Sequence, residues 1–296
     1  MAPPNFRRLI PLLILLLLAP LALWAGALLS RPQATAPEQS RLRVTVINVG
    51  QGEATLIRTP GGGTILIGAG PPESGGDVVA ALQSAGVRQV DLLILPYPYA
   101  EACGGVPELY LSFEIKMILE PGGGRINPYI RSEEVKNLVS ATDVQIVRAG
   151  SGVPLDEGRV KVEILAPRTI DGSREAPDDS LFVSLRYGRT RFLFAGGIGA
   201  KGERALLAET PDLKADWLRV ARSGAPGTSS SEFLRLVCPE FAVVSVGPNG
   251  DGFPDAATLN RLRATGAKLY RTDENGGQNI TFQSDGREVT QGSGDP

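Results

Sequence analysis

The sequence predicts an α/β fold in four layers, αββα: two β-sheets face to face, each backed by helices, with one N-terminal transmembrane helix ahead of them. Three observations predict it. Short β-branched strand patterns alternate with segments of helical spacing through most of the chain from Arg41 onward. Two runs, Val90–Leu95 and Phe241–Val246, are apolar but for one residue each, Asp91 and Ser245, the pattern of strands buried on both faces. The second half of the chain repeats the plan of the first, which gives two sheets between helix layers rather than one.

The chain opens with Arg7 and Arg8 and then an uncharged apolar run, Leu9–Leu29. At about 1.5 Å of helical rise per residue the run reaches roughly 30 Å, the thickness of a bilayer core. Pro11 sits near its start, where a helix tolerates it, and Pro20 is expected to kink the middle. The arginine pair places the N-terminus in the cytoplasm and the body outside. A cleaved signal peptide, cut near Ala25-Gly26-Ala27, is the rival reading, although the run exceeds the usual h-region of roughly 7–15 residues. No cysteine follows the run, so a lipid-modified anchor is not expected. The predicted organisation is an anchor over 1–29, a polar, proline-bearing linker over 30–40, a globular domain over 41–285 and a flexible tail over 286–296.

Within the domain, strands are expected at 42–47, 54–59 and 64–67, the last two joined by the hairpin turn Pro60-Gly61-Gly62-Gly63. Asp77–Ala85 has helical spacing and ends at Gly86. A strand over Val90–Leu95, a helix over Gly104–Leu111 and a strand over Ile115–Leu119 follow. Ser132 with Glu133 and Glu134 reads as an N-cap with an acidic first turn, opening a helix to Val139. The second half gives strands at 144–147, 160–165, 181–187 and 191–194, a helix at 203–208, a strand at 217–220 and a helix at 231–237. A buried strand at 241–246, a helix at 256–265 ended by Gly266, and closing strands at 268–271 and 280–283 complete it. Thr228–Ser231 reads as an N-cap before the helix at Glu232, since a serine nucleophile needs an activating base and none lies near it in sequence. Pro121–Arg125 is glycine-rich but lacks the lysine of a phosphate-binding loop.

The 30 basic and 32 acidic residues give a net charge of −2, so no basic excess signals nucleic-acid binding. The two cysteines, Cys103 and Cys238, are too few for a disulfide framework. They read as buried thiols, with a single bridge between them left open.

There is no histidine in the chain. The segment Tyr97-Pro98-Tyr99-Ala100-Glu101-Ala102-Cys103-Gly104-Gly105, directly after an apolar strand, has the spacing H-x-H-x-D-H followed by Gly-Gly. That spacing resembles the metal-binding turn of the metallo-β-lactamase superfamily. Asn48-Val49-Gly50-Gln51-Gly52-Glu53 is similar to the opening of the exported domain of ComEC-type competence proteins, where aspartates stand at the places of Asn48 and Glu53. Ile67-Gly68-Ala69-Gly70 resembles the family's I-D-G-G, and Phe194-Ala195-Gly196-Gly197-Ile198 its F-T-G-D-I. Val220-Ala221-Arg222-Ser223-Gly224-Ala225 resembles V-P-H-H-G-S, and Gly252-Phe253-Pro254 the terminal G-H-P.

The resemblance covers most of residues 42–285 and implies a four-layer metallo-β-lactamase-like sandwich. It also makes Gly68, Tyr97, Tyr99, Glu101, Ala102, Gly197, Arg222, Ser223 and Phe253 the degenerate counterparts of a metal site. Only Glu101 keeps a carboxylate there. A protonated tyrosine phenol is a poor substitute for imidazole, and alanine has no donor at all. No metal and no other cofactor is therefore expected.

Glu53, Glu101, Asp178, Asp179 and Asp251 are the carboxylates nearest the old mouth. An oxygen-only set of that kind can hold calcium or magnesium, although Asp178 and Asp179 read as a solvated turn. Arg222 either pairs with Glu101, receives a phosphate or carboxylate on its planar fork, or lines a solvated rim. Tyr97, Tyr99, Glu101 and Arg222 are the candidate ligand-binding residues. The resulting expectation is a membrane-anchored, extracytoplasmic, ComEC-like pseudoenzyme that works by binding or scaffolding. Its partners would be the membrane, through the N-terminal helix, and a protein or small molecule. The alternative is a hydrolase with a rebuilt, non-histidine site.

Overall fold

The computed structural model describes residues 41–121, 127–130, 135, 145–148, 155–157, 159–167, 179–210 and 212–292. The expected membrane helix and linker lie outside these residues, as does the expected helix from Ser132 apart from Val135. Among the described residues no helix is long and apolar enough to cross a membrane.

Strands β1 (Leu42–Val46), β2 (Thr55–Arg58) and β3 (Thr64–Ile67) form an antiparallel meander. Helix α1 (Gly75–Ser84) leads to β4 (Gln89–Val90) and β5 (Leu92–Ile94). Helices α2 (Ala100–Cys103) and α3 (Val106–Ser112) precede β6 (Glu114–Ile115), β7 (Met117–Glu120) and β8 (Gln145–Arg148). The second half runs β9 (Leu155–Glu157), β10 (Val160–Ala166), β11 (Phe182–Tyr187), β12 (Thr190–Phe194), α4 (Ala200–Glu209) and β13 (Trp217–Arg219). It closes with α5 (Ser231–Val237), β14 (Phe241–Val244), α6 (Ala256–Ala264), β15 (Lys268–Arg271), β16 (Ile280–Ser284) and β17 (Val289–Gln291). One sheet has the order β17-β16-β1-β2-β3-β5-β7-β8, the other β15-β14-β13-β12-β11-β10-β9.

Side chains of successive strand residues point to opposite faces, and the core follows that period. Leu92 and Ile94 join one apolar cluster with Phe192, Phe194, Phe241 and Val243, between the two sheets. Leu93 instead packs with Val78 and Leu82 of α1 and Leu109 of α3. Leu193, Ala242 and Val244 pack with Leu206 of α4, Phe233 and Leu234 of α5 and Leu262 of α6. Three apolar layers thus separate four layers of structure, and both apolar runs supply side chains to two of them. Trp217 is fully buried between the sheets, its ring 5.2 Å from Phe194, 5.7 Å from Phe282 and 5.8 Å from Phe192, centroid to centroid.

Several elements differ from expectation. Val90–Leu95 is not one strand. Asp91 interrupts it, its carboxylate accepting from the Thr64 amide at 2.9 Å, Gln89 Nε2 at 3.0 Å and Lys116 Nζ at 3.0 Å. That anchor frees β4 to pair with β6 while β5 stays in the large sheet. The expected helix from Gly104 is two helices, α2 and α3, broken at Gly104–Gly105, where a Cβ on Gly104 would lie 2.2 Å from the Pro72 ring. Strand β9 was not expected, being too short to display a period. The tail expected over 286–296 is in part structured: β17 pairs with β16, and Val289 is buried. Cys103 and Cys238 are both free, and Cys238 is exposed rather than buried. The N-cap expected before Glu232 is present, Ser230 Oγ accepting from the Phe233 amide at 3.2 Å.

Candidate functional site

The loops that carry the degenerate motifs converge at one end of the two sheets. The β1–β2 loop is tied to the β5–α2 turn by the Glu53 amide, which donates to the Glu101 carbonyl at 2.8 Å. Gly70 N–H donates to Glu53 O at 2.9 Å, bringing in the end of β3. From the other sheet, Arg222 N–H donates to Gly196 O at 3.1 Å, joining the turns after β13 and β12. Gln51 Nε2 donates to Asp251 Oδ2 at 2.9 Å, and Asn249 Oδ1 accepts from the Phe253 amide at 3.0 Å, which fixes the last loop.

These ties enclose a cavity of about 200 Å³ lined by Tyr97, Tyr99, Glu101, Gly197, Arg222, Ser223 and Phe253, with Gln51 and Asp251. Seven of the nine degenerate positions therefore meet at one hollow. Gly68 and Ala102 are buried and do not line it. Through Gln51, Glu101 and Phe253 the hollow adjoins a larger cleft of about 990 Å³. Tyr97 is 5% exposed and Tyr99 40%, their rings meeting edge to face at 6.1 Å. Arg222 and Ser223 are both left-handed, at φ 48° and 50°, an uncommon pair for residues with a Cβ.

The residues present do not fit a metal ion of the kind the fold family implies. Gly68 stands where an aspartate is expected, but at φ 74° a Cβ there would lie 2.0 Å from Glu53 O and 3.1 Å from Glu53 Cγ. The chain has closed over that position. A Cβ on Gly197, the place of the bridging aspartate, would lie 2.8 Å from the Tyr97 ring. Among the described residues no three His, Cys, Asp or Glu side chains are placed to share a metal ion. The oxygen-rich set considered from the sequence is not assembled. Glu53 is buried and does not line the cavity, Asp251 is held by Gln51, and Asp178 lies outside the described residues. Asp179, expected in a solvated turn, is buried.

A buried arginine that the sequence reading passed over lies close to this site. Arg219, 3% exposed, donates from Nη2 to Gly52 O at 3.0 Å and from Nη1 to Val220 O at 2.8 Å, so it joins β13 to the β1–β2 loop. Its signal was available: a single arginine inside the apolar run Trp217–Val220. Burial raises the pKa of Glu53, with Arg219 pulling the other way. The same burial lowers that of Arg219, opposed by Glu53 and Tyr97. Tyr97 is held well above the usual phenol range by burial, then by the carboxylates of Glu53 and Glu101, so its hydroxyl is neutral. Cys103, buried behind the turn, donates Sγ–H to Tyr97 O at 3.1 Å, and burial pushes its thiol up to about 12. It is an inert packing group, since the thiolate is the reactive form. Arg222 and Glu101 line the same cavity, but neither takes part in an ion pair among the described residues, so the expected Arg222–Glu101 tie is absent.

No family model matches the chain. It is 26% identical over 251 residues, 79% of its length, to ComE operon protein 3 of Bacillus subtilis (strain 168). It is 30% identical over 290 residues, 90% of its length, to Competence protein ComA of Neisseria gonorrhoeae. These matches cover 32% and 38% of the two relatives, so the chain spans about a third of their length. Among solved structures, Zn(2+)-bound PqqB from Methylobacterium extorquens superposes with a TM-score of 0.51 at 10% identity, over 77% of this chain and 97% of PqqB, a likeness of fold alone. With the layered core, the converging motif loops and these relatives together, the chain is a ComEC-like protein of metallo-β-lactamase fold.

Proposed function

We propose that this is a membrane-anchored, extracytoplasmic member of the ComEC-like group that has given up metal-dependent hydrolysis and acts by binding at the remodelled cleft. The observation that carries the reading is the filling of the ligand positions. At Gly68 the Glu53 main chain, and at Gly197 the Tyr97 ring, take the space a metal-binding carboxylate would need. A site that had merely lost its histidines would keep that space open. The hollow that remains is walled by rings and a few polar groups, the usual make-up of a small-molecule site. Support for the anchor is the Leu9–Leu29 run with Arg7 and Arg8 before it.

Two measurements test this. Metal analysis of the purified protein is expected to find no stoichiometric metal, and EDTA to leave its melting temperature unchanged. A fall of several degrees with EDTA, reversed by zinc or calcium, would return the protein to the metalloenzymes. A reporter that folds only outside the cytoplasm, fused after Pro296, is expected to be active in the membrane fraction. Release of a soluble form cut near Ala27 would replace the anchor with a signal peptide.

A further inference from the structure

The cavity of about 200 Å³ is lined by an arginine and a glutamate, Arg222 exposed and Glu101 half-buried, that do not pair with each other. Arg222 reaches it from the turn after β13 and Glu101 from the first turn of α2, and among the described residues neither side chain has a hydrogen bond or an ion pair. A third polar group there is also unsatisfied. Tyr97 is 5% exposed and lines the cavity, and its hydroxyl makes no hydrogen bond within the protein among the described residues. A ligand that reaches these groups can offer them partners in place of water. The remaining walls are the rings of Tyr97, Tyr99 and Phe253, with Gly197, Ser223 and the hydrogen-bonded pair Gln51 and Asp251. The hollow is below the roughly 300–1,000 Å³ of sites for drug-sized molecules, so its occupant is small.

We propose that this cavity binds a small zwitterion of the α-amino-acid class, with its carboxylate on Arg222, its ammonium on Glu101 and an apolar side chain against the rings. The inference rests on the reading of the cleft as a binding site and deepens it. A planar guanidinium fork matches a carboxylate in two parallel hydrogen bonds. An ammonium group is served by Glu101 and by the adjacent tyrosine faces. The adjoining cleft argues against a simple anion, because its charged lining residues are Glu73, Asp77, Glu101 and Asp273, with no lysine or arginine. It also makes Arg222 the element that sets a zwitterion apart from a plain amine.

The test is calorimetric titration of the full-length protein in detergent micelles with L-phenylalanine and L-leucine, beside L-phenylalaninamide and N-acetyl-L-phenylalanine. The expected result is binding of at least one free amino acid. The amide and the N-acetyl compound should each bind about tenfold or more weaker than free phenylalanine or leucine, as for a lost charge-assisted contact. In Arg222→Met the disadvantage of the amide should vanish while that of the N-acetyl compound persists. In Glu101→Gln the reverse should hold. Equal binding of a free amino acid and either derivative would overturn the proposal, and that comparison needs no variant. Binding of spermidine or inorganic phosphate without any amino acid would overturn the zwitterion and leave the binding reading standing. Silence toward every compound would reject the zwitterion, while the metal and chelator measurements would still decide the loss of metal chemistry.

Discussion

At Glu53, burial and a neighbouring guanidinium pull in opposite directions, and burial is the larger. A carboxyl whose pKa is raised in the folded state binds its proton more tightly there than in the unfolded chain. Its contribution to stability is then fullest below the unfolded value of 4.5 and is lost as pH rises from there through the raised folded value. Replacing it with glutamine removes the dependence. Glu53→Gln is therefore expected to gain on the parent in melting temperature as pH increases above about 4.5; a constant difference from pH 4.5 to 8 would contradict it. The position of Glu53 in the opening motif was legible in the sequence, but its burial was not. The residue is charged and flanked by glycine and alanine, and only the fold brings the β5–α2 turn over it. The grouping of Tyr97, Tyr99, Glu101, Gly197, Arg222 and Phe253 was readable because motif spacing survives the loss of the chemistry. The closure over Gly68 and Gly197 was not, since a glycine in a sequence does not say what fills its place.

Among the elements, β13 is three residues long yet holds the two sheets together in two ways. Trp217 packs against Phe192 and Phe194 of its own sheet and Phe282 of the other, and Arg219 reaches the β1–β2 loop. Arg219→Met removes two charge-assisted hydrogen bonds and leaves the buried Gly52 and Val220 carbonyls without that donor, an expected loss of about 3 kcal/mol in urea unfolding. A loss below about 1 kcal/mol would mean that the guanidinium is dispensable. The apolar letters around it made β13 easy to read as a strand. Its cross-sheet role was hidden because the partner oxygen belongs to Gly52, 167 residues away. Where an element was misread, a polar contact outweighed the local pattern: the apolar run Val90–Leu95 breaks because Asp91 finds three donors.

Across the whole molecule, the first sheet is completed by the last part of the chain. Strand β16 lies between β1 and β17, so the domain does not end where its regular pattern fades. Deleting residues 286–296 removes β17, exposes the buried Val289 contacts and leaves β16 as an edge. An expected destabilisation of about 2 kcal/mol follows, read as a lower denaturant midpoint with the fold otherwise kept. An unchanged midpoint would restore the simple tail that the polar, glycine-rich composition suggests.

The pairing of β1 with β16 also sets a timetable. Thr45 and Thr281 join their hydroxyls at 3.0 Å across 236 residues of intervening chain. The first strand of this domain thus waits for a partner that leaves the ribosome 236 residues later. Contacts so distant in sequence form slowly, because the long loop must close before they repay it. Until then the emerging polypeptide has no finished first sheet. The sheet therefore locks only when β16 arrives, however early its other strands are made.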